Sequence, residues 1–246
     1  MNTYKTTEVA RIIGIHPNTV RLYEQLHLIP KATRASNGYR IFTDFHIEQF
    51  RLARTALKVE ILQNGLRKKA LNIIKFSATK DFKEALALTE SYLTQLKQEK
   101  INAEESLKIT KQLLSGTSDS CQLSLKRKEV SDYLNITMDT LRNWELNGLL
   151  RVKRKSNGYR VYTSDDIQHL KIIRTLRCAN YSLSSILRML SALSANPNVD
   201  IKNIIGSPND SEDIITACDK LLISLDDASK NARLLKSTLE YMQENF

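Results

Sequence analysis

Ser36-Asn37-Gly38-Tyr39-Arg40 recurs letter for letter as Ser156-Asn157-Gly158-Tyr159-Arg160, and this repeat decides the fold. Upstream, Glu8-Val9, Ile15, Thr19, Arg21, Glu24 and Leu28 recur as Glu129-Val130, Ile136, Thr140, Arg142, Glu145 and Leu149. Thr43 and Thr163 follow the two copies. The offset is 121 in the upstream block and 120 at the pentapeptide, so one residue has been lost between Leu149 and Ser156, where a loop tolerates it. So many matches in order indicate a duplicated domain.

Each copy reads in the same way. A short helix opens at Thr7, and Gly14 ends it, as glycine does just past a helix C-terminus. A second helix opens at Pro17, whose fixed φ suits a first turn, and runs through Glu24. Val9, Ile12, Ile13, Ile15, Val20 and Leu28 supply a small core. Two short helices around a glycine-bearing turn form a helix-turn-helix pattern. Asn37-Gly38 is a hairpin signal, because both residues take positive φ at low cost. It predicts a β-hairpin wing with Tyr39 and Arg40 on the return strand. Thr43 and Thr163 are expected as N-caps of the next helices, and Ser182 as the N-cap of a further one.

Both halves end in a long amphipathic pattern. Phe82, Leu86, Thr89, Leu93, Leu96, Lys100, Ala103, Leu107, Thr110 and Leu114 follow a 4-3 spacing. In the second half the same spacing gives Ile214, Cys218, Leu221, Leu225, Ala228, Ala232, Leu235, Leu239, Met242 and Phe246, all apolar. That is a coiled-coil seam, and roughly 50 Å of helix cannot bury such a stripe alone. The expected fold is mainly α with small β-hairpin wings: two winged helix-turn-helix domains, each followed by a long coiled-coil helix. The boundaries are a first winged unit over 1–78, a coil helix over 79–115 and a linker over 116–123. A second winged unit over 124–195, a loop over 196–211 and a second coil helix over 212–246 follow.

Composition limits the partners. The net charge of +10 over 246 residues favours a polyanion, and a 41 % hydrophobic content is that of a globular chain. No run of 18 apolar residues is present, so no membrane span is expected, and no apolar signal core follows Met1, so a cytoplasmic, nucleoid-associated location is expected. Cys121, Cys178 and Cys218 stand too far apart for a C-x-x-C pair. The absence of P-loop, G-x-S-x-G and H-E-x-x-H motifs argues against an enzyme.

Thr19-Val20-Arg21-Leu22-Tyr23-Glu24 followed by Asn37-Gly38-Tyr39-Arg40 resembles the MerR family of bacterial transcription regulators. The second copy matches with Thr140-Leu141-Arg142-Asn143-Trp144-Glu145, Asn157-Gly158-Tyr159-Arg160 and Tyr181-Ser182-Leu183-Ser184-Ser185-Ile186. The resemblance covers nearly the whole chain, twice, whereas the family usually carries one such unit per chain and dimerises through an antiparallel coil. It implies binding to double-stranded DNA, with recognition helices in successive major grooves and wings along the backbone. It also implies bending or untwisting of promoter DNA so that RNA polymerase engages.

The DNA-binding residues expected on this basis are Asn18, Thr19, Arg21, Tyr23, Lys31, Arg34, Tyr39 and Arg40 in the first unit. In the second they are Thr140, Arg142, Trp144, Lys153, Arg154, Lys155, Tyr159 and Arg160. Arg21 and Arg142 suit a guanine edge or a phosphate. Tyr23 and Trp144 either pack in the core or meet the backbone. Glu24 and Glu145 are expected to hold an arginine within the unit, and the basic approach to each wing either touches phosphate or is a solvated loop. The copies differ where they read: His16-Pro17-Asn18 stands opposite Thr137-Met138-Asp139, which implies two unlike half-sites.

The two equal seams suggest one chain acting as an intramolecular pseudo-dimer, the rival being a homodimer that pairs each coil with its twin. Many family members sense a metal or drug, yet the cysteines and the four histidines do not cluster here, so no cofactor is expected. The alternative function is an architectural protein that organises a chromosome or plasmid with the same DNA-binding units.

Overall fold

The computed structural model describes residues 2–58, 65–114, 124–152, 159–195 and 214–246. The expected linker over 116–123, the loop over 196–211, Cys121, Lys153, Arg154, Lys155 and the second wing turn at Ser156, Asn157 and Gly158 lie outside the described residues. The chain divides into two compact units, Met1–Gln98 with Ser224–Phe246, and Glu99–Ile223.

In the first unit, β1 (Thr3–Tyr4) leads into α1 (Thr6–Ile13) and α2 (Pro17–Gln25). Gly14 ends α1 with φ +69°, a left-handed conformation that a side chain would strain. The His16 Nδ1 accepts the Asn18 N–H at 3.2 Å and caps α2. The hairpin β2 (Thr33–Arg34) and β3 (Arg40–Thr43) follows, and β1 joins it in the order β1-β3-β2, all antiparallel. Sequence reasoning missed β1, a two-residue strand that gains its ladder only from the return strand of the wing, with Tyr4 opposite Phe42.

The wing turn differs from the expected two-residue Asn-Gly turn. Gly38 N–H donates to Ala35 O at 2.8 Å, Ala35 N–H donates to Tyr39 O at 2.9 Å, and of the turn residues only Gly38 has positive φ, at +80°. Ser36 and Asn37 are therefore the central pair of a tight turn, and Gly38 takes the left-handed position behind it. Asn37 earns its place differently: its Oδ1 accepts the Tyr39 N–H at 3.2 Å.

Helices α3 (Asp44–Leu57), α4 (Leu66–Ala78) and the start of α5 (Phe82–Leu114) complete this side of the unit. Val9, Val20, Ile29, Phe42 and Phe50 form the core between the helix pair and α3. Buried Gln49 knits α3 to its neighbours: its Nε2 donates to Leu28 O at 3.0 Å and Ile74 O at 2.9 Å, while its Oε1 accepts from Ser77 at 2.8 Å. A buried amide so fully paired costs little and orients the helices. Asp44 accepts the Asn2 N–H at 2.9 Å and the Tyr4 hydroxyl at 2.8 Å, and these bonds hold its carboxyl below the usual range.

Thr43 is the N-cap of α3, and its N–H donates to His46 Nδ1 at 3.0 Å. With Nδ1 accepting, the ring proton sits on Nε2, which is buried without a partner. Burial lowers the His46 pKa from 6.5, partly offset by Glu24. Below 6.5 the unfolded chain takes up a proton that the folded unit resists, so the contribution is complete above 6.5 and is lost as pH falls through the depressed folded value. Denaturant unfolding at pH 7.5 and 5.5 should show lower stability at 5.5. His46→Gln, which keeps the acceptor for the cap, should shrink that difference. An unchanged difference would assign the pH effect elsewhere.

The long helices α5 and α10 (Ile214–Asn245) pack together, and each contributes to both units. In the first unit Lys236 Nζ meets Glu90 at 2.5 Å and Lys80 Nζ donates to Phe246 O at 2.9 Å, so the segments run antiparallel there. Of the expected α10 seam, Ile214, Cys218, Leu221, Leu225, Ala228, Ala232, Leu235, Leu239 and Met242 are buried and Phe246 is partly exposed. On α5 half of the seam shifts. Phe82, Thr89, Leu96, Ala103 and Thr110 are buried, but so are Ala85, Tyr92, Glu99, Ser106 and Ile109 beside them, while Leu86, Leu93, Lys100 and Leu107 are only partly covered; the Leu114 side chain lies outside the described residues. The cause is a second packing partner. In the second unit Ser106 hydrogen-bonds Lys171 O at 3.1 Å and Thr175 Oγ1 at 2.6 Å, so that line of α5 faces the globular helices.

The second unit repeats the plan. It comprises β4 (Ser124–Leu125), α6 (Arg127–Leu134), α7 (Met138–Leu146), β5 (Tyr162–Thr163), α8 (Ser164–Cys178) and α9 (Leu183–Ala195). β4 pairs with β5, Leu125 opposite Tyr162. Thr163 Oγ1 accepts the Asp166 N–H at 3.3 Å and Asp166 returns a bond to the Thr163 N–H at 2.8 Å, the expected cap of α8. Ser182 Oγ accepts the Ser185 N–H at 3.1 Å and caps α9. The core runs from Val130, Leu141 and Trp144 through Tyr162, Ile173 and Ile186 to Ile109 of α5 and Cys218 of α10.

Arg174 ties three elements together. Its Nη1 and Nη2 donate to the Glu99 carboxylate at 2.7 and 2.8 Å, and its Nε donates to Leu134 O at 2.8 Å. Both side chains are buried, at 8 % and 4 % exposure. Among the described residues no helix is long and apolar enough to cross a membrane.

Candidate nucleic-acid interface

Helices α2 and α7 each turn one face inward. On α2 this is Val20, with Tyr23 half-buried and stacked on Phe50 at 5.3 Å; on α7 it is Leu141 and Trp144. The opposite faces carry the expected reading residues. Arg21 and Arg142 are exposed at equivalent places, and Thr19 and Thr140 are half-buried two residues earlier. Asn18 Oδ1 accepts from Arg21 Nη1 at 3.1 Å, which pre-orients that guanidinium. On α7 the Thr137 hydroxyl accepts the Thr140 N–H at 3.0 Å as N-cap. Of the two roles open to Trp144, its 4 % exposure fits the core.

Glu24 and Glu145, the acids of the second helices, are each paired within their own unit. Glu24 accepts from Arg40 Nε at 2.6 Å and from the Ala32 N–H at 3.0 Å. Glu145 meets Arg127 at 2.6 Å and Arg160 at 3.0 Å, and the Tyr162 hydroxyl donates to it as well. Burial, with the Glu145 bond adding, pushes the Tyr162 phenol up to about 12. Arg40 and Arg160 are thus each engaged by the acid of the second helix of their unit, and Arg40 ties β3 to α2. Sequence reasoning missed Arg127, which replaces Thr6 of the first copy, although a charge gained beside an unchanged acid was a visible signal.

The outer side of the first wing is solvent-exposed, as is Tyr159 in the second unit. Tyr39 and Tyr159 are 72 % and 71 % exposed, and Lys31 and Arg34 are exposed. Arg34 Nη1 donates to Gly38 O at 2.9 Å and stiffens the tip. Among the described residues no group of three His, Cys, Asp or Glu side chains is placed to hold a metal.

Two helix-turn-helix units, each with a small antiparallel strand pair and following helices, the first with its hairpin wing described, define a winged helix-turn-helix protein. Residues 125–193 match the family described as MerR HTH family regulatory protein, and residues 5–42 match the MerR family regulatory protein. The chain carries two MerR-type domains, one in each half. It is 38 % identical over 64 residues to the HTH-type transcriptional regulator ZntR of Escherichia coli K12, which covers 26 % of this chain and 45 % of that protein. It is 38 % identical over 53 residues to the HTH-type transcriptional regulator CueR of Yersinia pestis, covering 22 % of this chain and 38 % of that protein. The chain thus spans less than half the length of these relatives. No solved structure matches it significantly.

Proposed function

We propose that the protein is a sequence-specific, double-stranded-DNA-binding transcription regulator that uses both MerR-type units on one duplex. The observation that supports this best is the equivalent placement of Arg21 and Arg142. Each stands exposed on the outward face of a second helix, while the acid three residues later is neutralised from within the unit. The outward charge is then cationic at the position from which a groove is read. Pairing of α5 with α10 segments inside both units favours a pseudo-dimer made by one chain, with two unlike half-sites and a bent or untwisted promoter presented to RNA polymerase. The family is one of non-catalytic regulators, so no reaction is assigned.

Selection of bound sequences from random DNA, with affinity measured at two salt concentrations, tests this. The expected result is a bipartite, non-palindromic site and a steep salt dependence. Arg21→Ala and Arg142→Ala should each cost about 1–3 kcal/mol of specific binding. A single symmetric site bound by a species of twice 28.1 kDa in light scattering would support the homodimer instead. No selected sequence at all would remove the proposal.

A further inference from the structure

The outward faces of α2 and α7 resolve into two stripes at helical spacing i, i+3, i+4, i+7. On α2 the stripe is Asn18, Arg21, Leu22 and Gln25; on α7 it is Asp139, Arg142, Asn143 and Leu146, and all eight are exposed. These positions lie opposite Val20 on α2 and opposite Leu141 and Trp144 on α7, so they form the face furthest from each core. The arginine is shared. The other three positions differ, and at two of them the chemistry is interchanged: α2 carries leucine then amide, and α7 carries amide then leucine.

The exposure of the two leucines is unexplained by folding. Leu22 is 47 % exposed and Leu146 is 75 % exposed, and an apolar side chain on a groove-reading face has one apolar target in the major groove, the thymine methyl. An amide on the same face pairs with adenine N6 and N7. Asn143 Oδ1 accepts from Asn147 Nδ2 at 2.9 Å, which orients the amide and leaves its Nδ2 and a second Oδ1 lone pair for a base. Asp139 is not needed as a cap, since Thr137 already accepts the Thr140 N–H. Its carboxylate, near the positive end of α7, faces outward as an acceptor, and cytosine N4 and adenine N6 are the donors the major groove offers it.

We propose that the two units read half-sites with a shared guanine, set by Arg21 and Arg142, flanked by thymine- and adenine-selecting positions in opposite order, with Asp139 adding selection for a cytosine or adenine amino group in the second half-site. The inference rests on the DNA-binding reading above and adds which base classes each unit takes.

The test compares sequences selected from random DNA by the natural chain, by Asn143→Leu with Leu146→Gln, and by Asp139→Asn. A reverse exchange, Leu22→Asn with Gln25→Leu, serves if the first double variant melts early. In the exchange variant the thymine and adenine preferences of one half-site should trade places while the guanine stays, each preference being about 5- to 100-fold. Asp139→Asn should abolish one amino-group preference in that half-site. Half-sites selected strongly but unchanged by the exchange would overturn this inference and leave the DNA-binding reading standing. A natural chain that selects no sequence would overturn both.

Discussion

Glu99→Ala should unfold the second unit far more readily than any surface substitution, at a cost of about 3–5 kcal/mol. Arg174 donates twice to that carboxylate and once to the Leu134 carbonyl at the end of α6. Removing the acid leaves a buried guanidinium with one neutral acceptor, and the loss reflects that uncompensated charge more than the worth of the pair. A melting temperature lower by roughly 10–20 °C is expected for a unit of this size. Glu99→Met combined with Arg174→Leu should recover most of the loss, because no charge is then stranded. If Glu99→Ala alone costs under about 1 kcal/mol, water reaches the pair and the clasp between α5 and α8 is weak. The same clasp explains why an acid occupies a buried line of α5.

Trp144→Ala should cost about 3–5 kcal/mol through the cavity it opens among Val130, Leu141 and Tyr162, whereas Trp144→Phe should cost much less. DNA affinity decides between the two roles open to this residue. A core tryptophan predicts that Trp144→Phe binds DNA as the natural chain does once both are folded. A tenfold loss of affinity in a fully folded Trp144→Phe protein would return the side chain to the phosphate backbone. Arg142→Ala should behave in the opposite way, with little effect on melting and a marked loss of binding, since its side chain is exposed.

The duplicated winged units were legible because local signals suffice for them. Gly14, Pro17, Thr43, Thr163 and Ser182 mark helix ends through the backbone geometry and hydrogen bonds of their own few neighbours, and Asn37-Gly38 marks the wing in the same way. The detail of that wing was less legible, because Asn-Gly serves two turn geometries and the choice lies with Ala35 and Tyr39 closing the ladder. Of the interface, the arginines and the acids that steady the wing were readable from the repeat. The burial of Trp144 was open, because an aromatic on an amphipathic helix suits a core or a surface until its neighbours are placed.

By itself, the sequence determined the repeat, the order of helices and hairpins, and the α10 stripe, all of which follow from spacing along one chain. Tertiary structure alone decided which side of α5 is buried, that Glu99 meets Arg174 across 75 positions, and that Arg127 joins Glu145. Spacing states which residues share a face of a helix. It does not state how many neighbours that face meets, and α5, packed on α10 and on the globular helices at once, has a wider buried face than a two-helix seam predicts.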